Sequence, residues 1–164
     1  MSTRIESERT AFRTSHIPCA QCPWKLENQG TRHPGGWYTK ANLRRLWGGL
    51  RRGERMTCHP TDPDNAVECE CHTAPPPGTV TRECAGSIIV LQRELQRLND
   101  VVMAGGSFAD YRRANPKGLT REGAACHLLS TALATNPITG FQMGKPNLND
   151  KSIGFPDLVP WVPK

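Results

Sequence analysis

Apolar residues between positions 84 and 102 recur at helical spacing. Cys84, Ile88, Leu91, Leu95, Leu98 and Val102 are separated by four, three, four, three and four residues, which places them on one face of an α-helix. The pattern predicts a helix over 83–104, capped by Thr79 or Thr81 and ended by Gly105-Gly106, because glycine readily takes the left-handed conformation that closes a helix. Cys84 then stands in the first turn, on the buried stripe. The positive end of the helix dipole favours a thiolate there.

Two weaker patterns flank this one. Leu43, Leu46, Trp47 and Leu50 share a face behind a Thr39 N-cap, predicting a helix that runs to about Leu46 or Trp47 and is broken or capped by Gly48-Gly49. A third helix is expected from Thr120 to about Ala134, with Ala125, Leu128, Leu129, Ala132 and Leu133 inward and Asn136-Pro137 as its stop. On that helix Cys126 flanks the stripe as a half-buried thiol, and His127 points almost opposite. Prolines and glycines interrupt the remainder: residues 17–36 read as a loop, and over 58–80 the prolines forbid regular structure. The organisation expected is a polar flexible arm over 1–16, a helical domain over 17–136, and a Pro-rich tail over 137–164. Phe141, Phe155, Leu158 and Trp161 equip that tail to wrap the core or to dock on a partner.

Composition sharpens this picture in one respect. Leu, Ile, Val and Phe together make up fewer than one residue in five, too few for burial alone to offset chain entropy comfortably. With a net charge of only +6, a small core stapled by a metal is a better reading than disorder. Residues 1–12 lack the apolar centre of a signal peptide, and no apolar run is long enough for a membrane span, so a cytoplasmic location without membrane contact is expected. Thiols stay reduced there, and seven cysteines point to metal rather than to disulfides.

The cysteines are spaced to match. Cys19-x-x-Cys22 is a turn whose two sulfurs can face one ion. Cys58 and Cys84 complete a Cys₄ set with Cys19 and Cys22, and His59 is a substitute for Cys58. Such a set suits zinc, and it also suits a [4Fe–4S] cluster. Cys69, Cys71 and His72, joined by His59 or His33, form a second candidate set; the competing reading is a solvated polar loop. Cys19 and Cys22 could also serve as a redox pair.

Phosphate loops, dinucleotide fingerprints, nucleophile elbows and His-Glu-x-x-His are all absent from the sequence. Pro18-Cys19-x-x-Cys22 matches half of a zinc deaminase signature, but no His-x-Glu precedes it. The most basic stretch is 40–55, where Lys40, Arg44, Arg45, Arg51, Arg52 and Arg55 face Glu54 alone. Lys40, Arg44, Arg45, Arg51 and Arg52 are therefore candidates for phosphate contacts, with Trp47 or Trp37 stacking or packing. The plainer reading is a solvated helix face. A sequence pI of about 9.1 agrees with an anionic partner.

The string Pro18-Cys19-Ala20-Gln21-Cys22-Pro23-Trp24, followed by Met56-Thr57-Cys58-His59 and Cys84-Ala85-Gly86, resembles an uncharacterised family of small cysteine-rich proteins of actinobacterial bacteriophages and their hosts. Residues 118–123 and 153–158 are similar to the same group's tail, and the resemblance spans roughly 17–160, with loop 60–81 longer than the pattern. It implies a phage origin, with Cys19, Cys22, Cys58 and Cys84 as the family's ligands, and it brings no activity with it.

The fold expected is thus mainly α: a small loop-rich domain of three helices stapled by a Cys₄ centre, with a long Pro-rich tail. The function expected is that of a non-enzymatic regulator binding nucleic acid or host transcription machinery such as RNA polymerase. An iron–sulfur protein with a redox or catalytic role is the alternative, and an assembly protein that docks by its tail is a third.

Overall fold

The computed structural model describes residues 18–33, 36–56, 83–134 and 147–162. They form a mainly helical domain with four α-helices: α1 (Lys40–Arg51), α2 (Ala85–Met103), α3 (Phe108–Ala114) and α4 (Arg121–Ala134). A 3₁₀ turn (Leu26–Asn28) and a two-residue antiparallel ribbon, β1 (Arg32–His33) with β2 (Gly36–Trp37), precede α1. The arm expected over 1–16 and the loop holding Cys58, His59, Cys69, Cys71 and His72 lie outside the described residues. Within them, no helix is long and apolar enough to cross a membrane.

Helix α2 is the centre, packed against α1, α3 and α4. Leu91, Leu95 and Leu98 are buried as the stripe requires, while Val102 at its end is exposed. Burial extends well beyond the stripe, to Ala85, Gly86, Ser87, Ile89, Val90, Arg93 and Glu94. A helix surrounded on most sides must bury polar residues too, and each then needs partners. Cys84 occupies the N-cap rather than the first turn, and Gly105 closes the far end at φ +86°.

Helix α1 starts at the expected cap, where Asn42 N–H donates to Thr39 Oγ1 at 3.2 Å. It does not stop at Gly48-Gly49 but continues to Arg51. Beyond them the chain folds back over Gly49. Glu54 N–H returns to the Gly49 carbonyl at 3.0 Å, and a Cβ at Gly49 would fall 2.2 Å from Glu54 Oε2. The helix ends at Gly53, at φ +109°.

A fourth helix, α3, adds to the three expected. Ser107 and Asp110 cap it reciprocally, a capping box that holds even seven residues. Tyr111 from α3 is fully buried; its hydroxyl donates to Glu94 Oε2 at 2.7 Å and accepts from Leu119 N–H at 2.9 Å.

Over its described side chains, residues 121–128, helix α4 turns the face opposite to the one expected inward. Gly123, Ala124 and His127 point inward, whereas Ala125, Cys126 and Leu128 are exposed; the side chains of Leu129, Ala132 and Leu133 lie outside the described set. The cause is the C-terminus of α1, whose last carbonyls have no intrahelical donors. Thr120 donates to the Arg51 carbonyl through its backbone N–H at 3.0 Å and through Oγ1 at 2.9 Å, and His127 Nε2 meets the Leu50 carbonyl at 2.6 Å. Only glycine fits at 123, since a Cβ there would lie 1.9 Å from the Arg51 oxygen.

The tail wraps the core over 147–162. Ile153 and Phe155 are buried in it, and Ile153 bridges to Lys25. Phe155 meets Trp24 edge-on at 5.8 Å, and Trp24 meets Trp47 edge-on at 6.3 Å. Arg93 clamps the tail from α2, donating to the carbonyls of Leu148, Asp150 and Ile153 at 2.7, 2.6 and 2.7 Å.

Candidate metal centre

The Cys19–Cys22 segment is a tight turn in which Cys22 N–H donates to the Cys19 carbonyl at 3.1 Å. Asn28 holds it from below, its Nδ2 donating to the carbonyls of Ala20 and Cys22, both at 2.9 Å. Pro23 and Trp24 are buried beyond it, and Trp24 is locked between the tail and α1 by the ring contacts above. The turn therefore delivers Cys22 as a fixed side chain rather than as part of a floppy loop.

Cys84 reaches the same place from α2. The two sulfurs, Cys22 Sγ and Cys84 Sγ, stand 3.9 Å apart in the protein interior. A disulfide requires about 2.05 Å. Two thiolates bound tetrahedrally to one zinc at about 2.3 Å would stand about 3.8 Å apart. The pair thus has the spacing of two ligands on one ion. Cys19 is half-buried against the same cluster, and Cys19, Cys22 and Cys84 all act on the Tyr38 hydroxyl. Burial first, and then those three cysteines in that order, push the Tyr38 pKa far up; its hydroxyl donates to the Gln21 carbonyl at 2.7 Å.

Gly86 explains how Cys22 fits. A Cβ at that position would lie 2.3 Å from Cys22 Sγ and 3.2 Å from Trp24 Cβ and Cδ1. The sulfur thus occupies the space any side chain would need. Beside it, Glu83 is buried and paired with Arg55 at 2.8 Å; burial pushes its carboxyl up, against the pull of Arg55. Glu83 Oε1 and Trp24 Nε1 are buried without hydrogen-bond partners among the described residues.

Among the described residues no group of three or more His, Cys, Asp or Glu side chains is closed around a point that could hold a metal. The described part of the expected set is Cys19, Cys22 and Cys84; Cys58 lies outside, as does the second candidate set of His59, Cys69, Cys71 and His72. Cys126 belongs to neither: it is exposed, with its Sγ 3.2 Å from where a Gly53 Cβ would stand.

The basic helix splits into two groups. Lys40, Arg45 and Arg52 are exposed. Arg44 is exposed as well but pairs with Asp157 through two bonds, at 2.8 and 3.3 Å. Arg51 turns inward and donates to the carbonyls of Gly118 at 2.9 Å and Pro116 at 3.3 Å. Arg112 from α3 donates to the same Gly118 oxygen at 2.9 Å. Burial, and then the Arg112 guanidinium, lower the Arg51 pKa. Two of the five expected contact residues thus have structural duties, and Trp47 donates its indole N–H to the Lys117 carbonyl at 2.7 Å rather than facing solvent.

Sequence reasoning located the cysteines but missed Asn28, Tyr38 and the steric role of Gly86. Only the last left a trace, in the Cys84-Ala85-Gly86 string. No family model matches the chain, and no curated protein or solved structure matches it either.

Proposed function

We propose that this chain is a non-enzymatic regulatory module of phage origin, stapled by zinc bound to cysteine thiolates. Its exposed basic face contacts nucleic acid or a transcription complex in the cytoplasm. The observation that carries the metal reading is the buried Cys22–Cys84 pair at 3.9 Å, seated at the start of the central helix. The donor chemistry fits, because thiolates select zinc among the common divalent ions. Cys19 lies in the same turn and is the candidate for a third ligand, although the three sulfurs are not gathered around one point. Cys84 N–H donates to the Met56 carbonyl at 2.8 Å. When bound, the ion ties the 19–24 turn to α2 and so adds folding free energy that a small core lacks.

The partner reading rests on Lys40, Arg45 and Arg52, which remain exposed along α1. Three such cations favour phosphates or an acidic protein surface through their summed field.

One preparation tests both halves. Protein purified without oxygen should be colourless and carry zinc, and Cys22→Ser and Cys84→Ser should each lose it. A brown preparation containing iron and sulfide would establish the iron–sulfur alternative. In a mobility-shift series against DNA and RNA, the Lys40→Glu, Arg45→Glu, Arg52→Glu triple variant should lose binding and flatten the salt dependence by about one unit of log–log slope per contact. Unchanged affinity in that variant would remove α1 as the contact surface.

A further inference from the structure

We propose that Arg51 and Arg112 together form a binding site for a phosphate group, either free or within a nucleic-acid backbone. The site is separate from the exposed Lys40 and Arg45 of α1 and independent of the metal reading. It rests on the nucleic-acid reading only for the source of the phosphate.

The two arginines come from different helices, α1 and α3, and meet over one loop. Arg51 Nε and Arg112 Nη1 each donate to the Gly118 carbonyl at 2.9 Å. Both guanidinium groups therefore stand against a single oxygen and are close neighbours. Arg51 Nη2 also donates to the Pro116 carbonyl at 3.3 Å, and Arg112 Nη1 to that of Leu119 at 3.4 Å. The loop is itself fixed. Trp47 Nε1 donates to the Lys117 carbonyl at 2.7 Å, Gly118 N–H to that of Asn115 at 2.8 Å, and Leu119 N–H to the buried Tyr111 hydroxyl at 2.9 Å. The bonds that tie the loop down thus also hold the two side chains in place.

Those bonds leave the charge unanswered. Neither Arg51 nor Arg112 pairs with a carboxylate among the described residues, and Asp110 of α3 is taken by Arg113 at 3.0 Å. Like charges side by side repel, and burial, followed by the Arg112 guanidinium, lowers the Arg51 pKa. Both groups stay charged all the same, because arginine does not lose its proton in proteins. Lys117 in the loop and Arg121 just beyond it are exposed and add charge of the same sign.

Each arginine also keeps donors to spare. A guanidinium carries five N–H donors in one plane, and the carbonyls take at most two from each. The others belong to half-buried side chains that solvent still reaches. Phosphate suits such a pair, since its several oxygens can accept from two guanidinium groups at once, whereas the two oxygens of a carboxylate match a single one. Because both side chains are already ordered, binding costs little of their rotamer entropy.

NMR spectra of the arginine side-chain Nε–H groups in the full-length protein test the site. The titrants are inorganic phosphate and a short DNA or RNA duplex, each against sodium chloride of equal ionic strength. The Arg51 and Arg112 signals should shift together along one saturating curve, and inorganic phosphate should leave Arg45 unmoved. Arg112→Gln should bind phosphate about 10- to 100-fold more weakly, as expected for the loss of charge-assisted hydrogen bonds. That change also removes a bond to the loop, so thermal unfolding with and without phosphate separates the two roles. Bound phosphate raises the wild-type midpoint, and Arg112→Gln should lose that rise whatever its own midpoint is. If Arg112→Gln does not fold, the wild-type spectra decide alone. Shifts of both signals with the duplex identify a nucleic-acid backbone as the source, and shifts with inorganic phosphate alone identify free phosphate. Arg51 and Arg112 signals that stay still with every titrant would overturn the site. So would an equal shift of Arg45 under inorganic phosphate, which marks screening only, or a phosphate-dependent rise retained in Arg112→Gln. A duplex that shifts Arg45 but neither Arg51 nor Arg112 would overturn it while leaving the α1 face standing. A duplex that does not bind at all would remove the nucleic-acid reading, and the response to inorganic phosphate then decides the site.

Discussion

Replacing Arg93 with methionine should cost about 3 kcal/mol of stability and loosen the tail. Arg93 is only 6% exposed, yet its guanidinium spends three donors on one stretch of backbone, at 2.7, 2.6 and 2.7 Å from the carbonyls of Leu148, Asp150 and Ile153. A hydrogen bond to a charged group is worth about 1.5–3 kcal/mol net, so three such bonds set a ceiling well above the expected loss. Two effects bring it down. Methionine no longer has to bury a charge, and Leu148 and Asp150 are partly exposed, so water can reach their carbonyls. Ile153 is buried and its carbonyl would be orphaned. If the segment lifted entirely, the burial of Ile153 and Phe155 would be lost as well, about 2 kcal/mol each. Arg93→Lys is the informative companion: it keeps the charge, but a point cation cannot span three carbonyls, so most of the loss should persist. Equilibrium urea unfolding gives the energy, and proteolysis near residues 147–162 reports the tail. A change below about 1 kcal/mol, with the tail as resistant as in wild type, would refute the clamp.

Leu95→Ala should destabilise by about 2–5 kcal/mol, since Leu95 lies in the core between α2 and its neighbours; a loss under about 1 kcal/mol would place the core elsewhere. His127 should make the fold acid-sensitive. Burial lowers its pKa in the folded protein, more than the bond to the Leu50 carbonyl restores it, and the charge of Arg55 lowers it further. The unfolded chain therefore takes up the proton first. The stability this group contributes is full above its unfolded pKa, about 6.5, and is lost as the pH falls from there through the lowered folded value. Between about pH 7.5 and about pH 5.5, His127→Gln should lose less stability than wild type. The other titratable groups are common to both proteins, so parallel slopes would rule out His127 as the source.

Much of the chain could be read from near neighbours. The stripe of α2 with its glycine stop and the Thr39 cap depend on residues a few positions apart, where periodicity and capping act. What was not legible depends on who meets whom across the fold. The inward face of the first turns of α4 was set by the end of α1, where Thr120 donates to the Arg51 carbonyl and His127 meets the Leu50 carbonyl, although apolar spacing alone favours the other side. Gly48 and Gly49 signal a helix end locally, and only the return of Glu54 over Gly49 shows why they sit within one. Arg44, Arg51 and Arg93 look like surface charge in the sequence. Asp157, Gly118 and the tail carbonyls give them structural work. The cysteines suggest a metal centre by type and spacing, but the approach of Cys22 and Cys84 to 3.9 Å, and the glycine that leaves room for one sulfur, exist only once the turn is packed against the helix. Local periodicity is written in short-range sequence. Hydrogen-bond demand and steric fit between distant segments become definite only in the folded chain.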